Sequence, residues 1–350
     1  MDVISRPQWR DLVTFVPNKQ LPVYNWFYYK EGFARQLVFE LLDEMNVTSG
    51  PVLDPFCGVG TTLVACKERG LDAVGFDVSP IALLASSVKT AAYDKAALLQ
   101  EAKTLLKRKF EKPGPQDVPT IMKRGFSRYA LEDVLFFRSH VLAIGDKTVR
   151  DFFLLALANA SLKSSWIFKD GSVLKVQKRN VAPLRVMLRR VVYGMIKDLS
   201  KVTFRPCTVA VEQADARQMP LHDETIRVVI TSPPYLNQID YTRVYAIENF
   251  IISGTTEPSL RSFLSDSAYF ADMERVLTEL WRVCVPGARC AVVVGNAPGI
   301  DVDLQIAQLA EQQRFDVTAI YNAKERHELE RRTIQKGLLR ESVVLFEKAA

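Results

Sequence analysis

Short apolar runs that stop at an acid recur early in the chain. Pro51-Val52-Leu53-Asp54 is one, and Asp72 to Asp77 (DAVGFD) is the next. Between them lie a glycine turn, Pro55 to Gly60, and a helical stretch, Thr61 to Arg69. Ser79-Pro80 then opens a further helix, with serine at the cap and proline in the first turn. Strand followed by helix, repeated, predicts a parallel sheet covered on both faces. That rhythm stops near Thr90. From 95 to 205 the chain reads as mostly helical, without paired strand signals. Its clearest helix runs from Pro183 to Val202, where Leu184, Met187, Leu188, Val191, Val192, Met195, Ile196 and Leu199 recur at i, i+3, i+4 spacing. The α/β rhythm resumes at Cys207. Strands are expected over Thr208–Val211, Arg227–Thr231 and Arg289–Val294, helices over 242–253, 268–284 and 304–313, and a closing strand pair over Phe315–Tyr321 and Glu341–Glu347. The pattern divides the chain into 1–91, an insertion over 92–205, and 206–350.

Composition removes several classes. With 48% apolar and 25% charged residues among 350, the chain is globular rather than disordered or fibrous. The net charge of +6 permits an anionic partner without demanding one. Five cysteines, none in CxxC spacing, and three scattered histidines support neither a disulfide framework nor a metal site, so no metal is expected. No apolar run reaches the roughly 18 to 20 residues that span a bilayer, and Met1 to Arg10 does not resemble a signal peptide. A cytoplasmic protein without a membrane partner is expected.

Two motifs carry chemistry. The first is Asp54-Pro55-Phe56-Cys57-Gly58-Val59-Gly60-Thr61-Thr62. Glycines at the carboxyl end of a parallel strand let the backbone approach a ligand. Asp77, ending the next strand, either binds ribose hydroxyls or caps the helix from Pro80; its place after the glycine turn favours ribose. The second motif is Thr231-Ser232-Pro233-Pro234-Tyr235. Two prolines fix the backbone and remove two N–H donors. A serine hydroxyl and carbonyls then converge as acceptors beside an aromatic face, which suits the exocyclic amine of a base. Pro206-Cys207 superficially offers a nucleophilic cysteine, but it precedes an apolar strand.

DPFCGVGTT together with TSPPY resembles the amino-group DNA methyltransferases that use S-adenosylmethionine. The Ser-Pro-Pro-Tyr form is similar to the cytosine-N4 branch; the adenine-N6 branch more often has Asp or Asn before the prolines. The resemblance covers about 25–91 and 207–350. It implies a Rossmann-like class I methyltransferase sheet of seven strands, with the last pair antiparallel and a mainly helical insertion. It also implies double-stranded DNA as substrate, with the target base flipped out. By the same likeness Asp54, Pro55, Phe56, Gly58, Gly60, Thr61 and Thr62 would hold the methionine part of S-adenosylmethionine, Asp77 its ribose, and Asp215-Ala216 its adenine. Tyr28 to Phe33 (YYKEGF) resembles the motif flanking the cofactor, which adds Tyr29, Lys30 and Phe33; aromatic packing onto the sheet is the other reading of that segment. Ser232, Pro233, Pro234 and Tyr235 would be catalytic, with the Ser232 hydroxyl and Pro233 carbonyl accepting the amine hydrogens and Tyr235 stacking on the base. No covalent enzyme intermediate is implied.

Charge distribution then singles out the insertion. Between Lys163 and Arg205, eleven basic residues stand against two acids, a larger excess than that of the whole chain. Clustered cations are the electrostatic footprint of phosphate binding. Lys175, Lys178, Arg179, Arg185, Arg189 and Arg190 are the DNA-binding candidates there, and Lys169 to Asn180 reads as an exposed loop. Asn237 and Tyr241, with Asp240, would line the base pocket or touch the strand, and Asp240 equally reads as the N-terminal acid of the next helix. Recognition regions in the common arrangement lie just before the Pro-Pro-Tyr motif, so 254–267 and 322–340 share the candidacy. Arg326, Arg331, Arg332, Lys336 and Arg340 form the second basic group. A cognate restriction endonuclease or defence partner is a further expectation. The competing readings are adenine-N6 methylation, RNA guanine-N2 methylation and a catalytically silent DNA-binding protein.

Overall fold

The computed structural model describes residues 2–170, 173–236, 241–254, 265–327 and 338–349. Its strands, in chain order, are β1 (Val3–Ser5), β2 (Val52–Asp54), β3 (Ala73–Asp77), β4 (Ile167–Asp170), β5 (Val173–Val176), β6 (Val209–Gln213), β7 (Ile226–Thr231), β8 (Cys284–Gly295), β9 (Phe315–His327) and β10 (Leu338–Lys348). Eight of them form one sheet in the order β1-β9-β10-β8-β7-β2-β3-β6. The core strands β6, β3, β2, β7 and β8 run parallel, and β10 lies antiparallel to both β8 and β9. This is the Rossmann-like methyltransferase sheet, with one strand more than the seven expected. The addition is β1, whose Val3 to Ser5 pair in parallel with Ile320 to Asn322. Three residues are too few to display an alternation, and the edge of β9 supplies their partner.

Strand order reverses between β2 and β7, so their carboxyl ends open a crevice. Alternation along the strands sends side chains to opposite faces. Val228, Ile230, Ala291 and Val293 pack with Leu37, Leu41 and Leu63 of helices Arg35–Glu44 and Thr61–Arg69. Val229, Cys290, Val292 and Val294 pack with Met273, Val276, Leu280 and Ile306 of helices Asp266–Val283 and Val302–Gln312. The expected helix over 242–253 divides into Tyr241–Val244 and Ala246–Ser253.

The insertion forms a further layer. Its helices Lys95–Lys107, Thr120–Gly125, Arg128–Leu142, Lys147–Lys163 and Leu184–Asp198 share a core with Ile81, Leu84 and Val88 of helix Pro80–Thr90. Phe136, Phe137, Phe152 and Phe153 are fully buried in that layer. Asp94, Ser127 and Asp146 each cap a helix by accepting from a first-turn N–H. The apolar stripe from Leu184 to Ile196 is buried as its spacing predicts.

One expectation here is corrected. The insertion is not free of paired strands, and 169–180 is not simply a loop, because β4 and β5 form an antiparallel hairpin. Ile167 anchors it against Gly125, where a Cβ would stand 2.1 Å from the Ile167 Cδ1. One lysine interrupts the apolar residues of each short strand, Lys169 in β4 and Lys175 in β5, which hides the pair from a search for apolar runs. No helix among the described residues is long and apolar enough to cross a membrane.

Candidate active site

The crevice at the end of β2 is built around two carboxylates. Asp54 is buried, and its Oδ1 accepts from the Thr231 hydroxyl at 2.6 Å and from the Phe56 N–H at 3.2 Å. The ends of β2 and β7 are thereby tied together. Asp77 accepts from the Gly58 N–H at 2.9 Å with one oxygen and from the Ser79 N–H at 2.8 Å with the other. Ser79 occupies the cap position of its helix, but its hydroxyl caps no N–H there. The Asp77 carboxylate bonds the Ser79 N–H ahead of the helix, and no side chain caps the helix itself. Each oxygen keeps acceptor capacity toward the crevice.

The glycine turn needs its glycines. Gly58 and Gly60 have φ of +49° and +79°, the left-handed region that disfavours other residues. A Cβ on Gly60 would also stand 3.0 Å from the Ser86 hydroxyl and 3.1 Å from the Ser86 Cα. Ser86 in turn donates to the Gly58 carbonyl at 2.6 Å.

Residues of both motifs border a cavity of about 300 Å³. Of the residues expected to act together, Tyr29, Phe33, Asp54, Pro55, Phe56, Gly58, Thr61, Asp77, Asp215, Ala216, Ser232, Pro233 and Pro234 line it. The first and second motifs therefore face one space, although they lie far apart in sequence. Four expected residues do not line it. Gly60 packs on Ser86, and the Thr62 hydroxyl donates to the Ile230 carbonyl at 3.3 Å, so both brace the wall from behind. Lys30 is exposed to solvent. Tyr235 is half-buried against the end of β8, where a Cβ on Gly295 would be 3.0 Å from its ring.

Other lining residues escaped the sequence reading. Glu31 and Gly32 fall inside the quoted YYKEGF segment, where only the aromatic and basic positions were singled out. Tyr269, Met273 and Val276 recur at i, i+4, i+7 on helix Asp266–Val283 and turn one face to the cavity. That face reads in sequence as ordinary core. Arg217 bridges the Asp215 carboxylate, at distances of 2.9 and 3.1 Å from its Nε, and Asp272, at 2.8 Å from its Nη1.

Burial sets the electrostatics. It pushes Asp54 up to about 6 and raises Asp77 and Glu31. Asp215 moves the other way, lowered chiefly by its hydrogen bonds from Arg217. The Cys57 thiol, which also lines the cavity, is raised by burial and by Asp77 and Asp54, so it is a poor source of thiolate. Cys207 stands outside the cavity. Because folding raises Asp54 above its ordinary 3.8, the folded state holds this proton more tightly. The contribution of Asp54 to stability is therefore greatest below about 4 and declines as pH rises through about 6. In the ligand-free protein, Asp54→Asn is expected to flatten that decline in thermal melts taken from pH 4 to 7; an unaltered slope would exclude Asp54 as its source.

The basic candidates divide. Lys175, Lys178 and Arg179 are exposed on and beyond the hairpin, with the Lys178 ammonium over the Trp166 ring at 5.6 Å and Arg179 donating to the Ser165 carbonyl at 3.3 Å. Arg189 and Arg190 are exposed on helix Leu184–Asp198. Arg185 points inward instead. It donates to the carbonyls of Leu106 and Arg108 at 3.2 and 2.9 Å and lies over the Phe137 ring at 4.8 Å. A cation closing a helix carboxyl end in this way is a structural group. Arg340 is likewise held by Asp301 and Asp303. Asn237, Asp240, Arg331, Arg332 and Lys336 lie outside the described residues, as do 255–264; Tyr241 opens its short helix, and Arg326 lies in β9.

Arg185→Ala is accordingly expected to cost about 1–3 kcal/mol of stability in urea unfolding. Changing Arg189 and Arg190 together to Ala is expected to spare stability. If both contact phosphates, it should lower the salt slope of DNA binding by about two. A slope unchanged by the pair removes this helix face from the interface.

Residues 14–86 match the family model described as DNA methylase. A type II methyltransferase, M.BsoBI of Geobacillus stearothermophilus, is 24% identical across 97% of this chain and 88% of its own length. M.AvaI of Nostoc sp., also a type II methyltransferase, is 24% identical across 78% of this chain and 63% of its own. M.MjaII of Methanocaldococcus jannaschii reaches 40% identity over 78 residues, 22% of this chain and 14% of that one.

Proposed function

From the chain's place among the amino-group DNA methyltransferases, we propose that it methylates the exocyclic N4 amine of cytosine in double-stranded DNA. The observation that carries this reading is the shared cavity. Ser232, Pro233 and Pro234 at the end of β7 face the same space as Asp54, Gly58 and Asp77 at the ends of β2 and β3. Acceptors suited to an amine thus stand beside a glycine turn and buried acids suited to a cationic nucleoside.

The residues fit S-adenosylmethionine on chemical grounds. The cofactor is cationic, and Glu31, Asp54, Asp77, Asp215 and Asp272 surround a space in which Arg217 is the single lining cation among the described residues. When bound, S-adenosylmethionine supplies an electrophilic methyl group on a sulfonium. Asp54 and the turn from Pro55 to Thr61 would hold its methionine end, Asp77 its ribose, and Asp215-Ala216 its adenine side. Tyr29 and Phe33 would close the wall. Lys30, Gly60 and Thr62 act at a distance in this scheme, the last two by shaping the turn.

On the substrate side, the Ser232 hydroxyl and the Pro233 carbonyl accept the two amine hydrogens. The cytosine lone pair is delocalised into the ring, and holding both hydrogens favours a pyramidal, nucleophilic nitrogen. Positioning then supplies much of the rate. A raised Cys57 thiol gives no support to carbon-5 methylation, which needs a thiolate nucleophile. Exposed Lys175, Lys178, Arg179, Arg189 and Arg190 supply phosphate contacts for the 92–205 insertion as a recognition region. A companion restriction endonuclease belongs to the same reading.

Asp54 gives this reading a pH signature. Protonation below about 6 removes a carboxylate that a cationic donor needs. Donor affinity is expected to fall as pH drops from 7 to 5, and Asp54→Asn should weaken binding at pH 7 while flattening the profile. Isothermal titration across that range tests it, and a profile unchanged in the variant would sink the assignment.

Mass spectrometry of nucleosides from DNA incubated with the protein and methyl-labelled S-adenosylmethionine decides the product. N4-methylcytosine supports the proposal. N6-methyladenine replaces it with the adenine reading, because that amine uses the same acceptor geometry. No transfer to DNA overturns both.

A further inference from the structure

Lys175 is exposed on β5, and Lys178 and Arg179 are exposed just beyond it, while Lys169 of β4 turns to Tyr245 and Glu248, behind the cavity wall. Lys169, near the tip of the β4–β5 hairpin, places its ammonium 2.7 Å from the Glu248 Oε1 and 3.5 Å from the centre of the Tyr245 ring. Glu248 is completely buried, and its other oxygen has no hydrogen-bond partner. A carboxylate at that depth depends on its cation. Tyr245 also stacks on Tyr29, with ring centres 4.9 Å apart and planes 13° from parallel. Its hydroxyl donates to the Glu31 Oε2 at 2.9 Å. Tyr29 and Glu31 line the cavity. In addition, β5 packs against helix Tyr241–Val244, which follows the Ser232–Tyr235 loop in sequence. A continuous set of packed rings and charges therefore joins the basic hairpin to the wall of the cavity.

We propose that Lys169 is a positioning residue through which DNA held on the hairpin and the nucleoside held in the cavity strengthen each other's binding. The inference rests on the reading of the cavity as a methyl-donor site and of the hairpin as a DNA contact. DNA phosphates that fix the hairpin would fix Lys169 on Tyr245, and so the Tyr29–Glu31 wall. The effect is reciprocal, because a coupling free energy belongs to both ligands equally.

The test measures binding of S-adenosylhomocysteine, which cannot methylate, alone and with a saturating pool of random-sequence duplex DNA. DNA is expected to tighten binding to the wild-type protein by at least about fivefold, the low end of typical site-to-site coupling. Lys169→Arg keeps the charge and the ring contact and should retain the effect. Lys169→Met alone strands the Glu248 charge, so the informative variant pairs it with Glu248→Met, which leaves no orphan charge. That double variant should fold, keep its DNA-free affinity within about threefold, and lose the enhancement to below about twofold. Undiminished enhancement in the double variant overturns the proposal. So does a wild-type protein that binds both ligands without enhancement. A wild-type protein that binds neither ligand refutes the underlying methyltransferase reading instead.

Discussion

Tyr235→Ala is expected to lower methyl transfer by about a hundredfold or more while leaving donor affinity within about threefold. The separation follows from where the ring sits. Tyr235 does not line the cavity with Asp54 and Asp77; it rests against Gly295 at the end of β8. Its removal therefore spares the donor wall. A base lying against it would lose a stacking partner, worth about 1–3 kcal/mol. The reacting nitrogen would also lose its registration, and a misplacement of about 1 Å can itself cost a hundredfold. Tyr235→Phe preserves the ring and should retain most of the rate. Labelled-methyl incorporation into DNA, paired with donor titration, checks both halves. A loss of donor affinity matching the loss of rate would assign Tyr235 to the donor site and refute the base-side role.

Asp77→Asn is expected to weaken donor binding by about tenfold to a hundredfold, the cost of about 1.5–3 kcal/mol for losing a charged hydrogen-bond acceptor. The carboxylate accepts from two backbone N–H groups at once, Gly58 in the turn and Ser79 at the helix start. The amide has one acceptor oxygen, so one of those N–H groups must lose its partner. Gly58 would then be less firmly held at its positive φ. The sign of the accompanying stability change distinguishes this mechanism from simple loss of a ribose contact. A carboxylate raised by burial costs stability when ionised. If its two backbone bonds outweigh that cost, the variant melts lower at pH 7 as well as binding more weakly. Donor affinity within a factor of two of wild type would show that Asp77 does not hold the donor.

Legibility followed the range over which each feature is decided. The first motif declares itself in nine consecutive residues, because a strand end, a glycine turn and a helix start are local events. The apolar stripe of helix Leu184–Asp198 was equally plain, since its spacing repeats within a few turns. The edge strand β1 was hidden, because its three residues are defined by β9 more than three hundred positions away. The hairpin was hidden because Lys169 and Lys175 interrupt its apolar residues. Arg185 shows the limit most clearly. Beside Arg189 and Arg190 it reads as one more cation for DNA, yet the carbonyls of Leu106 and Arg108 take it into the protein.

By itself, the sequence determined the class of sheet, the two chemical motifs and the basic character of the insertion. Periodicity and turn chemistry are properties of neighbouring residues, and they survive without a fold. Tertiary structure alone decided that Asp54 and Thr231, 177 positions apart, share a hydrogen bond that brings those motifs to one cavity. It also decided which cations face solvent and which face carbonyls, and that Lys169 reaches Tyr245. The physical reason is common to all three. Burial, and the partners a charge acquires when it is buried, depend on strand order and layer packing, which no stretch of neighbouring residues contains.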